Sequence, residues 1–212
     1  MDIVKIEGLE KSHGEFRLGP FDLRVEPGAI LGILGHPGAG KTTLLRLLWG
    51  FQRPDRGRVE IFGLQPHLEQ LKVRVRAGYA AEFTWYYPEL TIEQFLNFIG
   101  SFYDTWDNTY VQTLLKQFRL TWWYKVNELS LQERRKLALI AAMGHRPSLL
   151  ILDQPTAGLD EETRTQVLKF LRKLAREDKA TLVISSHITD DLDQITDGVL
   201  TLSHGHVLES TF

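Results

Sequence analysis

Cysteine is absent from the 212 residues, which excludes disulfides, thiol catalysis and Cys-ligated zinc and agrees with a reducing compartment. A charge excess is also missing. Lys and Arg number 25 against 27 Asp and Glu, for a net charge of −2, so no bulk attraction draws the chain to a polyanion and nucleic acid is not an expected partner. No apolar run approaches the roughly 20 residues that a spanning helix needs. The opening Met1-Asp2-Ile3-Val4-Lys5 lacks the basic-then-apolar order of a secretion signal, and the chain is expected to be soluble by itself. Internal repeats, low-complexity tracts and evident linkers are lacking as well. What is present is ordinary for a folding chain: 43% apolar and 25% charged residues. This length suffices to bury roughly 70% of the unfolded surface without a covalent or metal staple. The expectation is one domain over 1–212, or one domain with a sizeable insert.

Short β-rich runs punctuated by Gly and Pro predict strands at Ile3 to Leu9, Phe21 to Val25, Ile30 to Leu34 and Val59 to Phe62. From Thr42 to Leu48 the pattern becomes helical, directly after a glycine-rich turn. Apolar residues at three-to-four spacing (Ile92, Phe95, Leu96, Ile99, then Val111, Leu114, Leu115, Phe118) make the stretch from about Glu82 to Leu129 helical. That stretch reads as an inserted helical subdomain, about 84–143 with the helix that follows it. It holds Trp85, Trp106, Trp122 and Trp123 with Tyr86, Tyr87, Tyr103, Tyr110 and Tyr124. A small helical core needing bulky filler accounts for most of these aromatics, although the adjacent Trp122 and Trp123 cannot both reach one core, so at least one is exposed. Beyond Pro147 strands and helices alternate: Leu149 to Leu152, Glu161 to Ala175, Thr181 to Ser185, a short helix from Thr189, and Val199 to Leu202. Such alternation implies an α/β fold with a mainly parallel core sheet.

Gly35-His36-Pro37-Gly38-Ala39-Gly40-Lys41-Thr42-Thr43 contains G-x-x-x-x-G-K-[ST] between a predicted strand and a predicted helix, the setting this phosphate-binding motif requires. Its glycines let the backbone wrap a polyphosphate, while amides and the helix start supply partial positive charge. Lys41 reaches the β and γ oxygens, and the Thr42 hydroxyl ligates Mg²⁺. His36, at the loop tip, is expected to face solvent. Leu149 to Leu152 ends in Asp153, which would bring a carboxylate to the metal at the carboxyl edge of a parallel sheet.

Gln154-Pro155-Thr156-Ala157-Gly158-Leu159-Asp160 follows, and His187 stands 33 residues past Gln154. With these residues the chain resembles the nucleotide-binding subunit of ATP-binding cassette (ABC) transporters over nearly its whole length. The resemblance places Lys41 in the Walker A motif, Asp153 in Walker B, Leu159-Asp160 in the D-loop and His187 at the switch histidine. Leu129-Ser130 begins where the signature motif should, Tyr79-Ala80-Ala81-Glu82 matches the Q-loop with Glu82 as a metal-site residue, and His13 takes the place of the adenine-stacking aromatic. It implies a P-loop NTPase fold with an N-terminal antiparallel β subdomain and an inserted helical subdomain. It also implies ATP and Mg²⁺ as cofactors, with the ATP held by the 35–43 loop, His13, Ser130 and Asp160.

Three residues or segments depart from the family pattern. Gln154 stands where the family has a Glu that takes the proton of the attacking water, and a neutral amide cannot do so, although it can hydrogen-bond that water. Either the chain is a degenerate subunit, or a Glu→Gln change has been made to trap bound ATP. Leu129-Ser130-Leu131-Gln132-Glu133 replaces Leu-Ser-Gly-Gly-Gln, adding β-carbons where close approach to phosphate is wanted. Ser130 and Glu133 also spell a capping box for the helix Arg134 to Met143. His13 stacks on a base less extensively than Tyr or Trp.

The resemblance further implies a transmembrane permease subunit as partner, an ATP-dependent homodimer or a heterodimer with a second cassette, and a cytoplasmic place on the inner face of the cell membrane. Tyr86 to Thr91 with Phe102-Tyr103 looks like exporter cassettes of the ABC-2 group. Two other readings stand beside this one: a non-hydrolysing subunit that uses ATP as dimer glue, and a soluble non-transport ABC ATPase. A P-loop kinase or GTPase would not explain Ser130, Asp160 and His187 together.

Overall fold

The computed structural model describes residues 2–82 and 87–212. Strands β1 (Val4–His13), β2 (Phe16–Val25) and β4 (Arg56–Ile61) form an antiparallel sheet in the order β2-β1-β4, with β3 (Ile30–Leu34) leaving it for a second sheet. The second sheet runs β5 (Ala77–Ala80), β6 (Leu149–Asp153), β7 (Thr181–Ser186), β3, β8 (Gly198–Ser203), β9 (His206–Ser210). Its first five strands are parallel, and β9 is antiparallel to β8.

Helices cover both faces of the parallel sheet, so alternate residues of a central strand belong to different cores. In β6, Leu149 and Ile151 join the cluster beneath the antiparallel sheet and α1 (Lys41–Leu48), whereas Leu150 and Leu152 join the opposite cluster. That second cluster takes in α5 (Leu131–Met143), α6 (Glu161–Glu177) and the apolar stripes of α3 (Ile92–Gly100) and α4 (Asn108–Gln117). The inserted helices thereby share a continuous core with the sheet, across the α5 register.

The chain differs from the sequence expectation at identifiable places. The hairpin strands β1 and β2 run on to His13 and back from Phe16. The short helix α2 (Gln70–Arg74), β5 and β9 had no signal. Ala77-Gly78-Tyr79-Ala80 carries no β-branched residue, yet it forms a strand paired parallel with β6, and a Cβ on Gly78 would lie 2.1 Å from the Ala142 carbonyl oxygen of α5; only glycine admits that approach. Helix α5 begins at Leu131, three residues earlier than expected. The filler account of the aromatics is corrected. Trp106 does fill core, wedged so closely that a Cβ on Gly100 or Gly144 would come within 2.7 and 2.3 Å of its ring. Tyr87, Phe98, Phe102, Trp122, Trp123 and Tyr124, however, are all exposed. Trp85 and Tyr86 lie outside the described residues.

Candidate functional site

The 35–43 loop joins β3 to α1 at the carboxyl edge of the parallel sheet. Gly35 is required where it stands, since a Cβ there would meet the Leu202 carbonyl oxygen at 2.5 Å. Gly38 and Gly40 hold φ of 81° and 110°, a region that glycine enters without penalty. Gly40 caps α1 with no side-chain hydrogen bond, so the amides of the first turn remain available to an anion. Ala39 is buried beneath the loop and its amide donates to the His36 carbonyl at 3.1 Å. His36 is exposed, as expected.

Lys41 is buried, and its ammonium donates to the carbonyls of Gly35 (2.5 Å) and His36 (3.1 Å). Burial lowers its pKa, against the opposing pull of the Asp153 and Glu82 carboxylates. With carbonyl oxygens as its hydrogen-bond acceptors, the cation is held over the loop. Thr42 Oγ1 donates to Asp153 Oδ2 at 2.8 Å, joining the two sequence motifs directly. The other oxygen of the buried Asp153 accepts from Ser185 Oγ at 2.7 Å.

Gln154 follows β6 in the left-handed region, at φ 50°, a conformation that costs a side-chain-bearing residue roughly 1–2 kcal/mol. The bend aims its side chain across the sheet edge. Gln154 Oε1 lies 2.9 Å from His187 Nδ1; an amide oxygen accepts, so Nδ1 is the donor of this contact. The Gln154 amide donates to Ser185 Oγ at 2.9 Å. Ser185 was not singled out from the sequence, where a serine ending an apolar strand was the available signal.

A cavity of about 550 Å³ is lined by His13, Phe16, Pro37, Gly38, Gly40, Lys41, Thr42, Thr43, Glu82, Gln154, Ala157 and His187. It brings together residues from 13 to 187, and among them Glu82 alone carries a carboxylate. Phe16 is a further addition to the sequence reading. It pairs with His13 across the β1–β2 hairpin, and a Cβ on Gly40 would touch its ring at 2.9 Å. His13 Nε2 meets Gln52 Oε1 at 3.2 Å, so two rings flank the mouth.

The donor set suits a hard cation held chiefly by its substrate. The Thr42 hydroxyl and Asp153 carboxylate are oxygen ligands of the kind Mg²⁺ takes. Among the described residues no group of three or more His, Cys, Asp or Glu could hold an ion without other ligands.

Ser130 and Asp160 are not brought to this cavity. Ser130 caps α5 in a reciprocal box with Glu133, accepting from its amide (3.3 Å) while Glu133 Oε2 accepts from the Ser130 amide (2.9 Å). Asp160 caps α6, accepting from the Thr163 amide at 2.8 Å. The two residues that replace the family's glycines reach toward the D-loop of their own chain: a Cβ on Gly158 would lie 3.2 Å from Leu131 Cδ2, and Gln132 Oε1 is 3.4 Å from Thr163 Oγ1.

Comparison with known proteins agrees with this geometry. The chain is 32% identical over 210 residues to the bacitracin transport ATP-binding protein BcrA of Bacillus licheniformis, covering 98% of this chain and 67% of that protein. It is 33% identical over 211 residues to the daunorubicin resistance ATP-binding protein DrrA3 of Streptomyces coeruleorubidus, covering 97% and 66%. The chain thus spans about two thirds of the length of these relatives. Among solved structures, an ATP-binding subunit of an ABC transporter superposes with a TM-score of 0.88 at 24% identity, over 98% of this chain and 89% of that one. The dimeric cassette MJ0796 gives 0.87 at 23%, over 98% and 97%; at such identities these likenesses carry the fold. Residues 18–157 match the ABC transporter family, and the chain belongs to that family as a nucleotide-binding subunit.

Proposed function

We propose that the chain binds Mg-ATP in the cavity around Lys41 and energises a separate transmembrane permease from the inner face of the cell membrane, with hydrolysis slowed by Gln154. The observation that carries the reading is the convergence of Lys41, Thr42, Asp153, Gln154 and His187 on one sheet edge. Gly38, Gly40 and the amides of the first turn of α1 would wrap the phosphates, with Lys41 on their outer oxygens. Mg²⁺ would be held by Thr42 and Asp153 and would neutralise charge that develops on the phosphates. Phe16 and His13 offer rings to the adenine. Gln154 can hydrogen-bond an attacking water but takes no proton from it, and His187 would orient the γ-phosphate through its Nε2.

In this reading two cassettes close head to tail, so that Ser130 of one covers the ATP of the other. Among the described residues no helix is long and apolar enough to cross a membrane, and the reading assigns the crossing to the permease. The names of the relatives, a bacitracin transport and a daunorubicin resistance protein, favour export. Gln154 favours a second reading, in which the subunit binds ATP as dimer glue without turning it over.

Equilibrium ATP binding by the parent chain and by Lys41→Ala tests the common ground. Binding that requires Lys41 supports both readings; affinity unchanged by the substitution overturns both. Transport energised by the chain in membranes holding its permease then separates the driving subunit from the glue.

A further inference from the structure

Beneath the cavity lies a buried ionic contact that the phosphate chemistry leaves unused. Asp191, in the short helix α7 (Thr189–Asp193), is 1% exposed. Its Oδ2 accepts from Thr156 Oγ1 at 2.6 Å, a hydroxyl that is also buried. Its Oδ1 faces Arg164 Nε of α6 at 3.5 Å and accepts no hydrogen bond among the described residues.

A buried carboxylate with one oxygen left to a long ion pair is costly, and an apolar side chain there would often be neutral or stabilising. What the carboxylate does supply is registry between three segments. Thr156 is two residues past Gln154, Asp191 is four past His187, and Arg164 opens α6 just after the D-loop. The 154–159 segment turns tightly on itself, with Ala157 N to Gln154 O at 3.1 Å and Leu159 N to Thr156 O at 3.2 Å. Beside His187, the Ile188 amide donates to Ser186 Oγ at 2.9 Å. Each of the two segments is thus locally stiff, yet they belong to successive strands. Among the described residues, apart from the strand ladder and Ser185, the side-chain bonds joining them are Asp191–Thr156 and His187–Gln154.

We propose that Asp191 is a positioning residue: its bond to Thr156 sets the α7 and D-loop segments in the register that brings His187 Nδ1 to Gln154 Oε1. This rests on the reading of His187 and Gln154 as nucleotide-site residues, but the register itself needs no nucleotide to be observed.

The test uses Thr156→Val, which removes the hydroxyl at nearly constant shape, together with Asp191→Asn and the conservative Thr156→Ser. Imidazole ¹⁵N signals of His187, recorded without nucleotide, read the Nδ1 hydrogen bond directly. They are expected to move in Thr156→Val and Asp191→Asn and to return in Thr156→Ser. In a Gln154→Glu background, single-turnover hydrolysis should fall about tenfold or more in the first two variants, while ATP affinity stays within about threefold. His187 signals and turnover that are unchanged while only the melting temperature falls would overturn the proposal, leaving Asp191 a structural pin. If Asp191→Asn does not fold, Thr156→Val, which keeps the carboxylate with Arg164, carries the decision. Loss of ATP binding by the parent chain would defeat the functional reading while leaving the ¹⁵N result to judge the register.

Discussion

Under the proposed function the carboxamide of Gln154, 2.9 Å from His187, stands where a base would take the proton of the attacking water. General-base catalysis contributes about 10²- to 10⁴-fold, or roughly 3 to 5.5 kcal/mol of barrier. Gln154→Glu is therefore expected to raise single-turnover hydrolysis by a comparable factor with ATP affinity little changed; no gain means that the half-site is non-catalytic for another reason. At the same scale, His145 is a buried base that makes stability depend on pH. Its Nε2 donates to the Ala77 carbonyl at 3.1 Å, Nδ1 has no hydrogen-bond partner among the described residues, and Tyr103 stacks on the ring at 4.0 Å. Burial pushes its pKa down to about 4, against the smaller raising effect of the Ala77 bond. The unfolded chain takes up this proton near 6.5 and the folded chain near 4, so between those values the unfolded state holds more protons. The contribution is fully present above about 6.5 and is lost as pH falls toward 4, an effect on the order of 3 kcal/mol. Melting temperatures from pH 7 to 4 should fall less steeply in His145→Gln than in the parent.

Among the elements, α5 is capped by a residue with a second proposed duty. Ser130 closes a capping box with Glu133, and under the proposed function the same hydroxyl meets a nucleotide on an opposing cassette. Ser130→Ala should cost about 1 kcal/mol of stability from the lost cap, visible as a lower denaturant midpoint at unchanged slope. Loss of ATP-dependent association beyond that stability effect would mark the second duty. Leu131 and Gln132 bear on the same element from the other side, since they lean on Gly158 and Thr163 rather than leaving a bare backbone. Restoring glycines at both should weaken the helix start by roughly 1 to 2 kcal/mol. If close approach to phosphate limits association, dimerisation with ATP nevertheless rises. Light scattering beside thermal denaturation checks both signs, and weaker association in the diglycine variant would show that the side chains themselves form the contact.

For the whole molecule, the described residues of the helical subdomain expose an aromatic surface. Tyr87 meets Phe98 edge-to-face at 5.3 Å, and Phe98 meets Phe102 at 5.2 Å. All three are exposed. Under the proposed function this surface docks a membrane subunit, so Phe98→Ser with Phe102→Ser should weaken co-purification with the permease while ATP binding persists. Retained co-purification would assign these rings elsewhere. The same reading expects the parent chain, or the chain with a second cassette, to dimerise on addition of ATP and Mg²⁺; a monomer under all these conditions would contradict it.

Local chemistry was legible where one short segment carries all of it. The 35–43 loop needs a strand before it, glycines within it and a helix after it, and each is written contiguously, as is the apolar run ending in Asp153. The alternation of strands and helices after Pro147 likewise named a parallel sheet. Elements whose reason lies in a neighbour were not legible: β5 is a strand because β6 pairs with it, and Trp106 is core because Gly100 and Gly144 make room for it. The site followed the same division. Sequence placed Lys41, Thr42 and Asp153 by motif and the family resemblance added Gln154 and His187, whereas the packing of the strands brought Thr42 onto Asp153, Ser185 onto both Asp153 and Gln154, and Phe16 to the cavity. Ser130 and Asp160, which the family resemblance grouped with the nucleotide residues, lie outside that cavity in a single chain, where each is held as a helix cap. Hydrogen bonds between residues more than a hundred positions apart have no signature in a linear pattern; they exist only once β3, β6 and β7 lie side by side.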